Sequence, residues 1–232
     1  MEAKQRFNCT CPIDYTGKYC EGYKWKSCKE LFSNSSGITS GYFDIYDNNG
    51  NGFPTFCEFN SQEGISWTLV ESFALRNRLQ FQKPFYFDYP VNENYLQWDA
   101  FRLSLNRMKQ LKNISTHFRA TCNFPVNGIT YTDYIRAKLS DIDLISYVHS
   151  CFNWEYFSVR GHSCSNCNAL FAETEDLHPH TDSYFGPQKC LFKGQSNGAI
   201  YNEDNFGSYA PYNPTHACSS SDSAITQWWI GS

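Results

Sequence analysis

Eleven cysteines are spread along these 232 residues, from Cys9 to Cys218. Usage that dense is foreign to a reducing cytosol, and no metal-ligand spacing recurs along the chain, so the cysteines are expected to pair in an oxidising compartment. The count is odd, so at least one thiol lacks a partner within the chain. Aromatic residues make up 18% of the sequence, with 16 Tyr, 19 Phe and 6 Trp, which suits a β-rich domain built around large buried rings. A hydrophobic fraction of 41% over this length allows one full-sized domain and a small appendage. The net charge of −4 comes without any basic run or stripe, which argues against a nucleic-acid partner. No apolar stretch reaches 18 residues, so no membrane span is expected.

Residues 28–70 hold the clearest local pattern. Cys28 and a short polar run precede Ser40-Gly-Tyr-Phe-Asp-Ile-Tyr46, a Gly/Asn turn, Phe56-Cys57-Glu58-Phe59, a turn at Gly64 and Trp67-Thr-Leu-Val70. The alternation predicts strands over about 41–46, 53–59 and 66–73, and Gly50, Asn51 and Gly52 supply the positive-φ residues of a hairpin. This order resembles the opening of the fibrinogen C-terminal-like domain: a Cys, an S-G-x-Y strand, a glycine turn, a C-[DE] strand and a G-x-W-T-[LV] strand. The resemblance implies a Cys28–Cys57 disulfide and a secreted binding or matrix module.

Upstream, Cys9-Thr-Cys11, eight further residues and Cys20, with Tyr15 and Gly17 between, resemble the last third of an EGF-like module. That resemblance implies a Cys11–Cys20 bond and leaves Cys9 as the orphan. Met1 to Arg6 is polar, with no apolar signal core, and the expectation is a chain incomplete at its N-terminus. The predicted organisation is a partial EGF-like module over 1–21, a linker over 22–27 and a divergent fibrinogen-like domain over 28–232. Its fold class is expected to be α+β and disulfide-rich, with few helices and a loop-rich C-terminal half.

Further along, Trp98, Phe101, Leu105 and Met108 recur at helical spacing and predict a helix over Asp99–Lys112. Ser115–Cys122 alternates as a strand, with Phe118, Ala120 and Cys122 on one face and His117, Arg119 and Thr121 on the other. Ile129–Ile135 and Phe152–Val159 are further candidate strands. From residue 160 onward Gly, Asn, Ser and Pro dominate, little regular structure is expected, and disulfides must hold the segment. Cys122, Cys151, Cys164, Cys167, Cys190 and Cys218 are expected to be bonded, in any of fifteen pairings.

Beyond residue 70 the aspartate-rich calcium loop and the G-W-W-x-x-x-C block of the fibrinogen family are missing. Ser115-Thr-His-Phe-Arg-Ala-Thr-Cys122, Asn205-Phe-Gly207 and Thr226-Gln-Trp-Trp-Ile-Gly231 instead resemble the skeletal organic matrix proteins of stony corals. That resemblance implies secretion and incorporation into a calcifying matrix.

Three strings match site expressions without the context their chemistry needs. Asp47-Asn-Asn-Gly-Asn-Gly52, followed by five residues and then Glu58, fits an EF-hand loop, but it lies between strand patterns and carries Pro54. A hairpin turn is expected there, with at most weak calcium contact and no cofactor. Gly194-Gln-Ser-Asn-Gly198, with Asp204 and His216 downstream, fits a nucleophile elbow but lacks the strand–turn–helix frame. His162-Ser-Cys164-Ser-Asn-Cys167, with His178 and His180, has zinc spacing, which oxidation to disulfides explains better. No catalytic or metal residue is assigned, and no enzyme is expected.

Sequons at Asn34-Ser-Ser36 and Asn113-Ile-Ser115 mark Asn34 and Asn113 as glycosylation candidates; Asn8-Cys-Thr10 also fits formally. The expected role is structural or adhesive, with matrix proteins, glycans or a mineral surface as partners, because the charge is too small for a nucleator acting by acidity. The alternative is a lectin-like module. Fibrinogen-related domains bind acetylated sugars, and Tyr209-Ala-Pro-Tyr212 and Trp228-Trp229 are its candidate stacking residues, set against burial in the core.

Overall fold

The computed structural model describes residues 10–175, 177–182, 190–192, 199–200 and 202–232. It is mostly β. Strands β1 (Tyr15–Thr16) and β2 (Gly22–Tyr23) form a separate two-stranded sheet near the N-terminus, and Cys11–Cys20 closes it. Cys9 lies outside the described residues. The segment after β2 leads onto the main sheet, where Tyr46 N–H donates to the Trp25 carbonyl at 2.8 Å.

A helix that the alternation gave no sign of follows, α1 (Cys28–Asn34). Ser27 caps it: its hydroxyl accepts from Glu30 N–H, while the Glu30 carboxylate accepts from Lys26 N–H. That is close to a reciprocal capping box, and the Ser-x-x-Glu spacing encodes it. Strands β3 (Gly41–Tyr46), β4 (Gly52–Glu58) and β5 (Trp67–Ala74) then form the expected meander. All eight residues of β5 are buried, so both of its faces are covered.

The predicted helix over Asp99–Lys112 is corrected. Its first part is extended, as β6 (Ala100–Arg102) paired with β5, and only α2 (Leu105–Asn113) is helical. Trp98 and Phe101 belong to the extended part: the Trp98 carbonyl accepts from the Ser72 hydroxyl, and Phe101 is buried on β6. Strand β7 (His117–Cys122) follows, then the single turn α3 (Phe124–Asn127) and β8 (Tyr134–Lys138). Strand β8 begins where the predicted 129–135 strand ends.

The loop-rich C-terminal half is also corrected. Strands β9 (Val148–Val159) and β10 (His162–Thr174) are the longest among the described residues and pair over eleven register positions. A two-residue turn joins them, with Arg160 at φ 54° and Gly161 at φ 79°, the left-handed pair that matches the twist of a hairpin. Strand β11 (Leu177–Asp182) adds to β10, and β12 (Asp204–Asn205) adds to β11. The last strand, β13 (Ile225–Gly231), inserts between β7 and β5.

The main sheet has eleven strands, ordered β12-β11-β10-β9-β8-β7-β13-β5-β4-β3 with β6 on β5, and every pairing is antiparallel. The C-terminal strand is therefore central, and Trp228, Trp229 and Ile230 are fully buried in the core. Fully burying each such side chain contributes about 2 kcal/mol or more.

Candidate functional site

The described cysteines form five disulfides. Besides Cys11–Cys20 and Cys28–Cys57, they are Cys122–Cys218, Cys151–Cys190 and Cys164–Cys167. Cys28–Cys57 ties α1 to β4. Cys122–Cys218 ties the end of β7 to a single 3-10 turn just before β13. Cys164 and Cys167 both lie on β10, with Asn166 at φ 49° between them. Residues three apart on a regular strand face opposite ways, and the left-handed Asn166 breaks that alternation so the two sulfurs meet.

His178 and His180 sit on β11 and do not join these sulfurs. His178 Nε2–H donates to Glu71 Oε1, and His180 Nε2 lies 3.6 Å from Asp204 Oδ1. One histidine does approach sulfur: ligand atoms of Cys122, His216 and Cys218 lie within 4.8 Å of one another. A metal needs thiolates there, and both sulfurs are bonded to each other.

Besides Arg107, which pairs with Asp47 and Glu93, three buried arginine–carboxylate centres organise the described interior. In the first, Glu71, Arg102, Glu173 and His178 are all fully buried. Arg102 donates to the carbonyls of Lys83, Pro84 and Phe87 and lies 3.6 Å from Glu71 Oε2. Glu173 accepts from Phe85 N–H. Burial, against the opposing pull of the Phe85 N–H and Arg102, holds the Glu173 carboxyl well above the usual carboxylate range.

A carboxyl whose pKa is raised by folding stabilises the fold below its unfolded pKa and loses that contribution as pH rises through the folded value. Glu173→Gln keeps an acceptor for Phe85 and removes the charge. The variant is expected to melt higher than the parent at pH 8 and equally at pH 4, in thermal scans across that range.

In the second centre, Arg119 is fully buried, with its guanidinium 4.4 Å from the Trp67 ring and 4.9 Å from Trp229. It donates to Glu58 Oε2 at 3.0 Å and to Ser61 Oγ at 2.7 Å. In the third, Arg160 pairs with Glu203 at 2.7 Å, while Asp133 accepts from Arg160 N–H and Ala217 N–H. His216 packs edge-on against Phe206 at 4.8 Å, 3.8 Å from Asp133, and burial pushes its pKa down. Gly207 is required beside these residues, because a Cβ would collide with His178 Nδ1 and the Pro179 carbonyl.

The EF-hand-like string is the β3–β4 hairpin turn. Asp47 Oδ1 accepts the N–H groups of Asn49 and Asn51, and Glu58 is held by Arg119. Both carboxylates are engaged by donors of the chain itself. The nucleophile-elbow string at 194–198 lies outside the described residues; its downstream Asp204 accepts from Ala210 N–H, and His216 is fully buried. Of the proposed sugar-stacking residues, Tyr209, Trp228 and Trp229 are in the core, and the exposed Tyr212 faces Arg78. Asn34 and Asn113 are the last residues of α1 and α2, and both are exposed.

What the surface offers instead is aromatic and polar. Tyr131, 47% exposed, and the half-buried Tyr156 meet over the buried Tyr134, with ring centroids 5.2 to 5.8 Å apart. Tyr19, Tyr42, Tyr95 and Tyr147 are more exposed still. Two clefts share Lys138. One, of about 400 Å³, is lined by Ser115, Thr116, His117, Leu139 and Ser140; the other, of about 360 Å³, by Asp141, Asn153, Trp154, Glu155 and Asn166. The alternation of β7 and β8 marks out-facing residues but carries no signal for either cleft, because each draws on residues distant in the chain.

The chain matches no protein-family model and no curated protein. Five disulfides fit an extracellular type of protein. No helix among the described residues is long and apolar enough to cross a membrane.

Proposed function

We propose that this protein is a secreted structural component of an extracellular, calcifying matrix, built from the end of an EGF-like module and a divergent fibrinogen-like domain. One observation carries the reading: disulfides pin the eleven-stranded antiparallel sheet, while buried arginine–carboxylate clusters are turned inward and several tyrosines, Tyr42, Tyr95, Tyr131 and Tyr147 among them, outward. The carboxylates of Glu58, Glu71 and Glu203 meet buried arginines rather than solvent. Exposed tyrosines offer an apolar ring and a hydroxyl together, which suits adhesion to proteins, glycans or hydrated mineral.

The test is a glycan array, with and without calcium, run beside adsorption to calcium carbonate and to decalcified skeletal matrix. Retention on matrix with a silent array is expected. A signal that requires calcium and a single sugar class would replace this reading with the lectin-like one.

A further inference from the structure

Cys164–Cys167 differs from the other disulfides in what it closes and where it lies. Its partners are three residues apart, against 29, 39 and 96 for the other bridges of the main sheet. Cys28, Cys57, Cys122, Cys190 and Cys218 are buried and Cys151 is half-buried, whereas both Cys164 and Cys167 are half-buried, and Ser163, Ser165 and Asn166 around them are exposed. The β9–β10 ladder continues on both sides, from His162↔Val159 to Glu173↔Val148. The backbone at this point is held by strand pairing, not by the sulfur bridge. Cys11–Cys20 is also half-buried, but it closes a sheet of two-residue strands that has little else to hold it.

A cleft adjoins the bridge. Asn166, between the two cysteines, lines the 360 Å³ cleft, and so does Trp154, the register partner of Cys167. Its walls are polar, with the exposed Lys138 beside the acidic Asp141 and Glu155.

We propose that Cys164–Cys167 is an exchangeable disulfide at which a thiol-bearing partner becomes covalently attached. The partner thiolate attacks one Sγ, the Cys164–Cys167 bond breaks, and a mixed disulfide forms. The other cysteine departs as a thiolate and takes up the proton that the partner thiol released. Electrons balance within the exchange, so no external oxidant or reductant is consumed. The shared chemistry is a thiol, carried by a small molecule or by a cysteine in a peptide.

The test incubates the folded full chain with glutathione and, in parallel, with a short cysteine-containing peptide. Free thiols are then blocked with N-ethylmaleimide, and the adducts are mapped by mass spectrometry while circular dichroism follows the fold. One adduct on Cys164 or Cys167, with maleimide on the other and the spectrum unchanged, is expected. Glutathione adducts identify a small thiol as sufficient; adducts with the peptide alone identify a protein cysteine as the source. The paired C164S and C167S substitutions are expected to fold with the parent spectrum. First modification at Cys11–Cys20 or Cys151–Cys190, adducts that appear only as the fold is lost, or failure of the paired variant to fold would overturn the proposal.

Discussion

Replacing Cys122 and Cys218 together by alanine is expected to cost about 4 to 5 kcal/mol, the loop-entropy value for a bridge of this span. The two are 96 residues apart, and the enclosed chain carries β8 to β12, nearly half of the sheet. Cys122 pairs in register with Thr226 of β13, and Cys218 sits in the 3-10 turn just before that strand. The bridge therefore fixes where the last strand enters the middle of the sheet. Both sulfurs are buried, so the paired alanines also leave unfilled space in the core. The same entropy relation gives about 2 kcal/mol for the three-residue span of Cys164–Cys167. Urea unfolding of the two paired variants checks the contrast, read as shifts in midpoint at unchanged slope. A midpoint for C122A/C218A within error of that for C164A/C167A would show that strand pairing alone sets the entry of β13.

The meander from Gly41 to Ala74 was legible because its faces alternate and glycine and asparagine mark its turns. Strand β10 was not: His162-Ser-Cys-Ser-Asn-Cys-Asn168 carries polar residues on both faces, and what makes it a strand is its pairing with β9, a non-local cause. The helix over-reading has a similar origin. Trp98 and Phe101 share the spacing of Leu105 and Met108, yet Ser72 and the β5 edge hold them extended. Helix α1 could have been found from Ser27 and Glu30. The interior of the candidate site was least legible. The alternation of β7 places His117, Arg119 and Thr121 opposite the apolar face, where solvent would be expected. Arg119 and Thr121 are nevertheless buried, because Trp67 and Trp229, from two distant parts of the chain, cover that face together with Phe124 just past the strand.

That covered face sets the other large effect. Arg119→Met is expected to destabilise the domain by about 3 kcal/mol, the lower part of the range for breaking a buried ion pair from one side. Methionine fills the slot between Trp67 and Trp229 with a polarisable apolar chain, so the loss is electrostatic more than steric. It leaves the Glu58 carboxylate, nearly fully buried, with Asn60 N–H, Ser61 N–H and the Ser61 hydroxyl but no cation. Those three donors are why the cost falls at the low end. Glu58→Gln in the Arg119→Met background removes the stranded charge while keeping an amide oxygen for the Asn60 and Ser61 N–H groups. The double variant is expected to recover more than half of the loss, giving a coupling of about 1.5 kcal/mol or more in a double-mutant cycle measured by urea unfolding. Additive losses, with no recovery in the double variant, would mean that Arg119 holds the aromatic layer through its stacking on Trp67 and Trp229 rather than through Glu58.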